Sequence, residues 1–176
     1  MTLATLRRWI KLCFFLSGLT GLVYQIAWTR MLGLIFGSTL YSVTTVLSVF
    51  FAGLAIGAHF FGRFIDRRGT RKPLEVYGWL EIGIGLWGAI VPGLLHLIEV
   101  LYIERLHPLD LSFEMLTLLR FLFTFLVLLL PTTLMGGTLP VLVKFFVRRL
   151  EGVGEGLASL YFINTIGAMV GVGLCG

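Results

Sequence analysis

The sequence predicts an all-α membrane protein, a polytopic bundle of about five transmembrane helices. Of its 176 residues, 57% are hydrophobic and only 13% are charged, whereas soluble domains are usually about 45–50% apolar and about 25% charged. The apolar residues form blocks of about twenty, which as helices are long enough to cross a hydrocarbon layer of about 30 Å. The excess of apolar residues therefore indicates lipid-facing surface rather than an enlarged core.

The blocks predict a single transmembrane domain over residues 1–176, with no soluble catalytic domain. The predicted spans cover about residues 12–36, 40–61, 74–98, 115–143 and 157–176. Basic residues precede the first block, as in a signal peptide, but the block is long and no small-residue cleavage pattern follows. We therefore expect an uncleaved first helix, and the connections between spans are too short to hold a catalytic domain.

The basic residues predict the orientation of the chain in the membrane. Most of the 14 lysines and arginines lie in the N-terminal segment, in the stretch 62–73 or in the stretch 144–155. These three stretches fall on one side of the membrane if five spans alternate, and basic loops stay in the cytoplasm. The N-terminus is therefore predicted to be cytoplasmic. The net charge of +5 is interpreted as a topology signal, and no nucleic-acid partner is expected.

The fourth block contains the segment PTTLMGGTLP, residues 131–140, within 33 residues that lack a strongly polar break, Met115–Val147. Pro131 has no N–H and its ring clashes with the carbonyl of Val127, which predicts a kink. One interpretation is a long, kinked and tilted helix that extends into the cytoplasm. The other is a broken helix whose freed backbone groups line a polar site, as in many transporters.

The chain has 22 glycines, and pairs of small residues at a spacing of four predict close helix packing in membranes. The pairs are Gly53 with Gly57, Gly167 with Gly171, and Gly85 with Ala89. We expect at least three spans to pack closely against other helices, including helices of other chains.

Four ionisable residues inside the predicted spans are the main candidates: Arg30, His59, Glu81 and Arg120. Such groups cost about 2.5–3.5 kcal/mol each and are candidates for function. Arg30 and Arg120 share the outer leaflet, so they either extend to headgroups or together form an anion site. Glu81 shares the inner leaflet with His59. We expect Glu81 to pair with His59 or a nearby cation, and a role in proton or substrate coupling is the alternative.

The remaining polar residues in the spans, Tyr24, Gln25 and Asn164, are expected to form hydrogen bonds between helices. Cys13 and Cys175 are far apart in the sequence and are interpreted as small buried hydrophobic residues. The sequence has no metal-ligand spacing, nucleophile elbow or phosphate-binding loop. It therefore predicts no catalytic residue, no metal and no cofactor.

The loop GRFIDRRGTRKP resembles the signature between helices two and three of major facilitator superfamily transporters, G-x-x-x-D-R-x-G-x-R-K/R. The matching residues are Gly62, Asp66, Arg67, Gly69, Arg71 and Lys72. The resemblance implies that Gly62 allows close helix packing. It also implies that Asp66 caps a neighbouring helix and pairs with an arginine, supported by Arg67 and Arg71. Such transporters consist of two halves of about six helices each, so the resemblance implies most of one half.

Four longer segments resemble the N-terminal membrane region of bacterial membrane-bound spermidine synthase-like proteins. They are Phe14–Thr39, Val46–Arg67, Pro131–Leu142 and Tyr161–Gly171. In that family, helices similar to a facilitator half precede a Rossmann-like domain that resembles aminopropyltransferases and binds decarboxylated S-adenosylmethionine and a polyamine. The residues of that domain have no counterpart here, so the resemblance implies a membrane module with no catalytic residue.

These observations predict a non-catalytic module of the bacterial cytoplasmic membrane. Its expected partners are the lipid bilayer and other transmembrane helices, in a homo- or hetero-oligomer. It would anchor an enzyme or serve as an accessory subunit, and the end of the sequence within an apolar helix suggests a truncated or separately encoded membrane half. The alternative is half of a small-molecule carrier, for example of polyamines, that assembles as a dimer or with a second chain.

Overall fold

The computed structural model describes residues 3–68, 72–101, 104, 112–149 and 153–175. These contain five α-helices, which we number α1 to α5 in chain order. They are α1 Leu3–Phe36, α2 Thr39–Arg68, α3 Pro73–Leu101, α4 Phe113–Arg149 and α5 Val153–Cys175. Each helix is long and apolar enough to cross a membrane. The predicted all-α, multi-span fold is therefore confirmed.

The helices extend beyond the predicted spans, chiefly at the ends that carry basic residues. α1 begins at Leu3 rather than near residue 12, α2 continues to Arg68 rather than 61, and α4 continues to Arg149 rather than 143. Hydropathy marks only the apolar part of a helix, whereas the backbone hydrogen bonds of a helix continue into charged turns beyond the apolar layer.

α1 and α2 are joined by a short turn at Gly37. Gly37 has a φ of 65°, and its N–H donates to the carbonyl of Gly33 at 3.0 Å. This left-handed conformation ends many helices and is strained for residues with a Cβ, so glycine at this position explains why α1 ends at Phe36.

α4 is one continuous helix through both Pro131 and Pro140, which agrees with a single long helix and excludes the alternative of a broken helix. Pro131 cannot donate to the Val127 carbonyl four residues earlier. The indole Nε1 of Trp87 in α3 donates to that carbonyl instead, at 3.0 Å. A neighbouring helix thus supplies the hydrogen bond that the proline removes, and α4 continues without a break.

The most extensive packing joins α2 with α4 and α1 with α5, while α3 covers α4 and also touches α1. Lys144 near the end of α4 pairs with Asp66 near the end of α2, and Arg30 late in α1 donates to the carbonyl of Cys175 in α5. Both pairs of helices are therefore parallel. Successive helices alternate in direction, as the predicted topology requires. The start of α1, the end of α2, the start of α3 and the end of α4 share one end of the bundle, which we call the basic end.

Candidate functional site

Glycines allow the backbones of the two parallel helix pairs to touch. A Cβ added at Gly57 would overlap the carbonyl of Thr133 in α4, and one at Gly167 would overlap the carbonyl of Phe15 in α1. The other two predicted packing glycines are placed equivalently, with Gly53 against Thr132 and Gly171 against Leu19. All four glycines are thus covered by helices of this chain, so they do not form open faces for other chains.

The predicted small-residue pair of α3 is placed differently. A Cβ added at Gly85 would meet nothing within 4 Å, and Ala89 is exposed. The glycines of α3 that meet other helices are Gly83, where an added Cβ would lie 3.1 Å from Leu134 Cδ1, and Gly88, which lies against the ring of Tyr24. α3 therefore packs through a face that the spacing of four does not identify.

A groove of about 370 Å³ separates the α1–α5 pair from the α2–α4 pair. It forms because α1 with α2, and α4 with α5, touch much less than the helices within each pair. Phe50, Phe51 and Leu54 of α2 form much of its apolar wall. Its polar lining consists of Ser17 and Gln25 of α1, Thr138 of α4, and Tyr161 and Asn164 of α5. The groove therefore presents uncharged polar side chains among apolar ones within the membrane-spanning part of the bundle.

Two carboxamides in this groove have no hydrogen-bond partner among the described residues. Neither the Gln25 nor the Asn164 side chain forms a hydrogen bond with any described residue, although other polar side chains of the spans do. The predicted interhelical hydrogen bonds of these two residues are thus not found in the described part of the chain. Tyr24 instead stacks on Trp28, with ring centroids 5.3 Å apart. A carboxamide that faces hydrocarbon without a hydrogen-bond partner is energetically unfavourable.

Glu81 lies between α3 and α1 near the basic end. Its Oε1 atom is buried and has no hydrogen-bond partner among the described residues. The polar side chains that interact with its carboxyl group are Ser17 of α1 and Tyr77 one turn earlier in α3. The predicted pairing with His59 is wrong for the described residues, where no ion pair includes Glu81. The reason is the packing, because α3 lies on α4 and α1, whereas His59 is exposed on α2.

The facilitator-like loop is described only in part, because Gly69 and Arg71 lie outside the described residues. Gly62 lies beside Pro140 of α4, where an added Cβ would be 3.9 Å from the proline Cβ. Among the described residues, Asp66 pairs with Lys144 of α4, whereas the resemblance implies an arginine. Arg67 is exposed. The described part of the motif therefore links the ends of α2 and α4 within this chain.

Arg30 and Arg120, which were predicted to share the outer leaflet, donate to backbone carbonyls near helix ends. Arg120 of α4 donates from an Nη atom to the carbonyl of Ile35 in the last turn of α1, at 3.0 Å. Arg30 donates to the carbonyl of Cys175. Cations are favourable beside the carbonyl end of a helix because its last carbonyls lack intrahelical donors. Both arginines thus bind backbone acceptors, which neither predicted alternative included.

His59 belongs to a basic and aromatic strip on α2. It lines a shallow groove of about 330 Å³ with Phe60, Arg63, Phe64 and Arg67, and His59, Arg63 and Arg67 recur at a spacing of four. This strip is separate from the groove between the helix pairs.

Cys13 is exposed and Cys175 is half-buried, so the predicted burial of Cys13 is wrong. In the described part of the chain, no group of three or more acidic, histidine or cysteine side chains could hold a metal ion.

Four site residues were not identified from the sequence: Ser17, Tyr77, Trp87 and Lys144. Cys13 with Ser17, and Tyr77 with Glu81, each have a spacing of four and so lie on one face of a helix. This periodicity was a usable signal for the Glu81 cluster. The Trp87–Val127 and Asp66–Lys144 contacts join residues far apart in sequence. They can be predicted only when it is known which helices pack together.

Comparisons with protein-family models, with curated proteins and with solved structures found no match to this chain. They identify no family, so the likeness to spermidine synthase-like proteins rests on the sequence segments alone. The described helices establish that the chain is a multi-span membrane protein.

Proposed function

We propose that this multi-span protein is a non-catalytic membrane module that works by associating with other transmembrane helices. The observation that carries the proposal is the groove with the carboxamides of Gln25 and Asn164, which have no hydrogen-bond partner in the described part of the chain. In hydrocarbon, a polar side chain that finds no partner in its own bundle favours association with a helix that supplies one. A polar helix face from another subunit would pair these amides and fill the space between the two helix pairs.

In this proposal the module anchors an enzyme or serves as an accessory subunit in the bacterial cytoplasmic membrane. The resemblance to the membrane part of spermidine synthase-like proteins supports an aminopropyltransferase-like enzyme as the anchored partner. The chain itself would have no transferase activity, and any such activity would co-purify with a second protein.

The direct test is native mass spectrometry of the tagged chain, gently extracted from its own membrane. We expect an assembly with at least one further polypeptide, and loss of that polypeptide in the variants Gln25→Leu and Asn164→Leu. Thr165→Val is the matched control. Thr165 neighbours Asn164 on α5, and its hydroxyl already donates to the Tyr161 carbonyl at 2.8 Å. A lone monomer from the native membrane, or full partner recovery in both groove variants, would contradict the proposal.

A second candidate function is half of a small-molecule carrier, in which a solute rather than a helix occupies the groove. The groove is large enough for a small solute, and the Asp66–Lys144 pair joins α2 and α4, which contribute to its walls. Proteoliposomes that contain the chain, alone or with its co-purified partner, should then take up labelled spermidine. Asn164→Leu should abolish the uptake and Thr165→Val should retain it. Equal signals from protein-free vesicles would eliminate this candidate.

A further inference from the structure

A cluster of four side chains joins α1 and α3 beside the groove. Cys13 and Ser17 lie one turn apart on α1, and Tyr77 and Glu81 lie one turn apart on α3. Electrostatic interactions connect Tyr77 with Cys13, Ser17 and Glu81, and connect Glu81 with Ser17. The spacing of four on both helices aligns the two pairs, because such residues share a helix face.

Glu81 Oε1 and the Tyr77 hydroxyl are buried and form no hydrogen bond of ordinary geometry with the described residues, although Ser17, Tyr77 and Glu81 are close enough to interact. Tyr77 is only 7% exposed and belongs to an apolar cluster that includes Phe14, Leu80 and Leu142. An unsatisfied polar atom in such surroundings is unfavourable and needs an explanation, for example an absent ion or proton.

Among the described residues, no lysine, arginine or histidine forms an ion pair with Glu81. The ion pairs of the described residues are Lys72–Glu75, His96–Glu99 and Lys144–Asp66. Of the helices packed on α3, α1 contributes Cys13 as the titratable group of the cluster. α4 carries Lys144 at this end of the bundle, but that ammonium is paired with Asp66 of α2. An ionised carboxylate within a membrane span is costly, and no ion pair of the described residues offsets that cost for Glu81.

Ser17 connects this buried carboxyl group with the groove. Its side chain interacts with Glu81, and the same residue lines the groove between the helix pairs. A proton that reaches the groove is therefore one hydroxyl group away from Glu81. A proton from the groove could therefore reach Glu81 through Ser17 and neutralise its carboxylate.

We propose that Glu81 is a reversible proton-binding site that exchanges protons with the groove through Ser17. In the loading step, hydronium in the groove transfers a proton to a carboxylate oxygen of Glu81 and leaves as water. The resulting carboxyl O–H donates a hydrogen bond within the cluster, and release reverses the transfer. The site accounts for the buried oxygens of Tyr77 and Glu81 that form no hydrogen bond of ordinary geometry with the described residues. It does not depend on whether a helix or a solute fills the groove.

The experiment is infrared difference spectroscopy of the full chain in lipid nanodiscs during a pH titration. We expect a C=O stretching band of a protonated carboxylic acid that persists at neutral pH, where exposed carboxyl groups are ionised. Glu81→Gln should remove the band. Glu75→Gln is the matched control, because Glu75 lies on the same helix, is exposed and pairs with Lys72 at 2.6 Å. That variant should retain the band.

Two milder variants test the cluster without removing the carboxyl group. Ser17→Ala and Tyr77→Phe should each shift the titration midpoint of the band, and Ser17→Ala should also slow the exchange of its proton for deuterium. The proposal is overturned if the neutral-pH band is missing or survives in Glu81→Gln. It is also overturned if added Na⁺ removes the band at constant pH, because Glu81 would then bind a metal cation instead.

Discussion

The indole of Trp87 in α3 donates a hydrogen bond to the backbone carbonyl of Val127 in α4, with an Nε1 to oxygen distance of 3.0 Å. That carbonyl is the one whose intrahelical donor would have been residue 131, which is a proline. The indole therefore replaces the backbone hydrogen bond that α4 lacks at Pro131. Inside a membrane no water is available to do so, which makes the tryptophan part of the structure of α4.

We expect Trp87→Phe to destabilise the bundle by about 0.5–2 kcal/mol, because it leaves the Val127 carbonyl without a donor. Pro131→Ala restores an N–H that can donate to the same carbonyl. The substitution at Trp87 should therefore cost less in the Pro131→Ala background than in the native chain. A double-mutant cycle, measured as unfolding by SDS in mixed micelles, isolates this coupling from the loss of aromatic packing. Additive effects of the two substitutions would contradict this account of the tryptophan.

Gly57→Ala should weaken the contact between α2 and α4 by about 1–3 kcal/mol, the usual cost of forcing extra atoms into a packed site. The added Cβ would overlap the Thr133 carbonyl and approach the Gly136 Cα, both of which belong to backbone that cannot rotate away. The control is Gly85→Ala, at a helix position where an added Cβ meets open space. Circular dichroism during SDS-induced unfolding measures both variants. Equal stabilities would contradict close backbone packing at Gly57.

Hydropathy predicted the five helices because the length and apolarity of a span are local properties of the sequence. The spacing of glycines found the touching faces of α2 and α5, but not that of α3, where Gly83 and Gly88 make the contacts. The fate of Glu81 was not predictable in the same way. A charged residue inside a span indicates an unfavourable free energy of insertion, which is a local property. Which side chains surround that residue depends on which helices pack together. The sequence alone did not indicate that α3 packs on α4 and α1.

The proline-rich segment of α4 illustrates the same limit. Local chemistry correctly identifies the lost hydrogen bond at Pro131, and either a kink or a break follows from it. Which outcome occurs depends on a donor from another helix, here Trp87, 40 residues away in sequence. Arg30 and Arg120 are similar, since their carbonyl acceptors lie at the ends of other helices.

The Asp66–Lys144 ion pair should stabilise the basic end of the bundle only modestly, by about 0.2–1 kcal/mol, because exposed pairs are screened by solvent. The Asp66 side chain is 67% exposed and that of Lys144 is 27% exposed. Asp66→Asn and Lys144→Gln in a double-mutant cycle should show a coupling that declines as salt is added. The Lys72–Glu75 pair is a suitable comparison, since it lies at the start of α3 and joins no two helices. A salt-independent coupling would contradict an exposed ionic contact.

Arg120→Leu should loosen the end of α1, because it removes the side chain that donates to the Ile35 carbonyl. Amide hydrogen exchange should become faster in the last turn of α1 and around Gly37, while the helix pairs remain protected. Arg8→Leu is the control, as Arg8 is an exposed arginine near the other end of α1. Mass-spectrometric exchange of both variants in detergent tests this. Unchanged exchange around Gly37 in Arg120→Leu would mean that the contact does not hold the helix end.

The orientation of the bundle in its membrane follows from the charges gathered at the basic end. Arg7, Arg8 and Lys11 at the start of α1 share that end with Arg63 and Arg67 of α2 and with Lys72 and Lys144. Because basic segments are retained in the cytoplasm, a tag inserted at position 70 should be protected in intact spheroplasts and labelled only after lysis. A tag after Gly176 should be accessible without lysis, since five alternating helices place it on the opposite side. The reverse pattern would show that the charge distribution does not orient this protein.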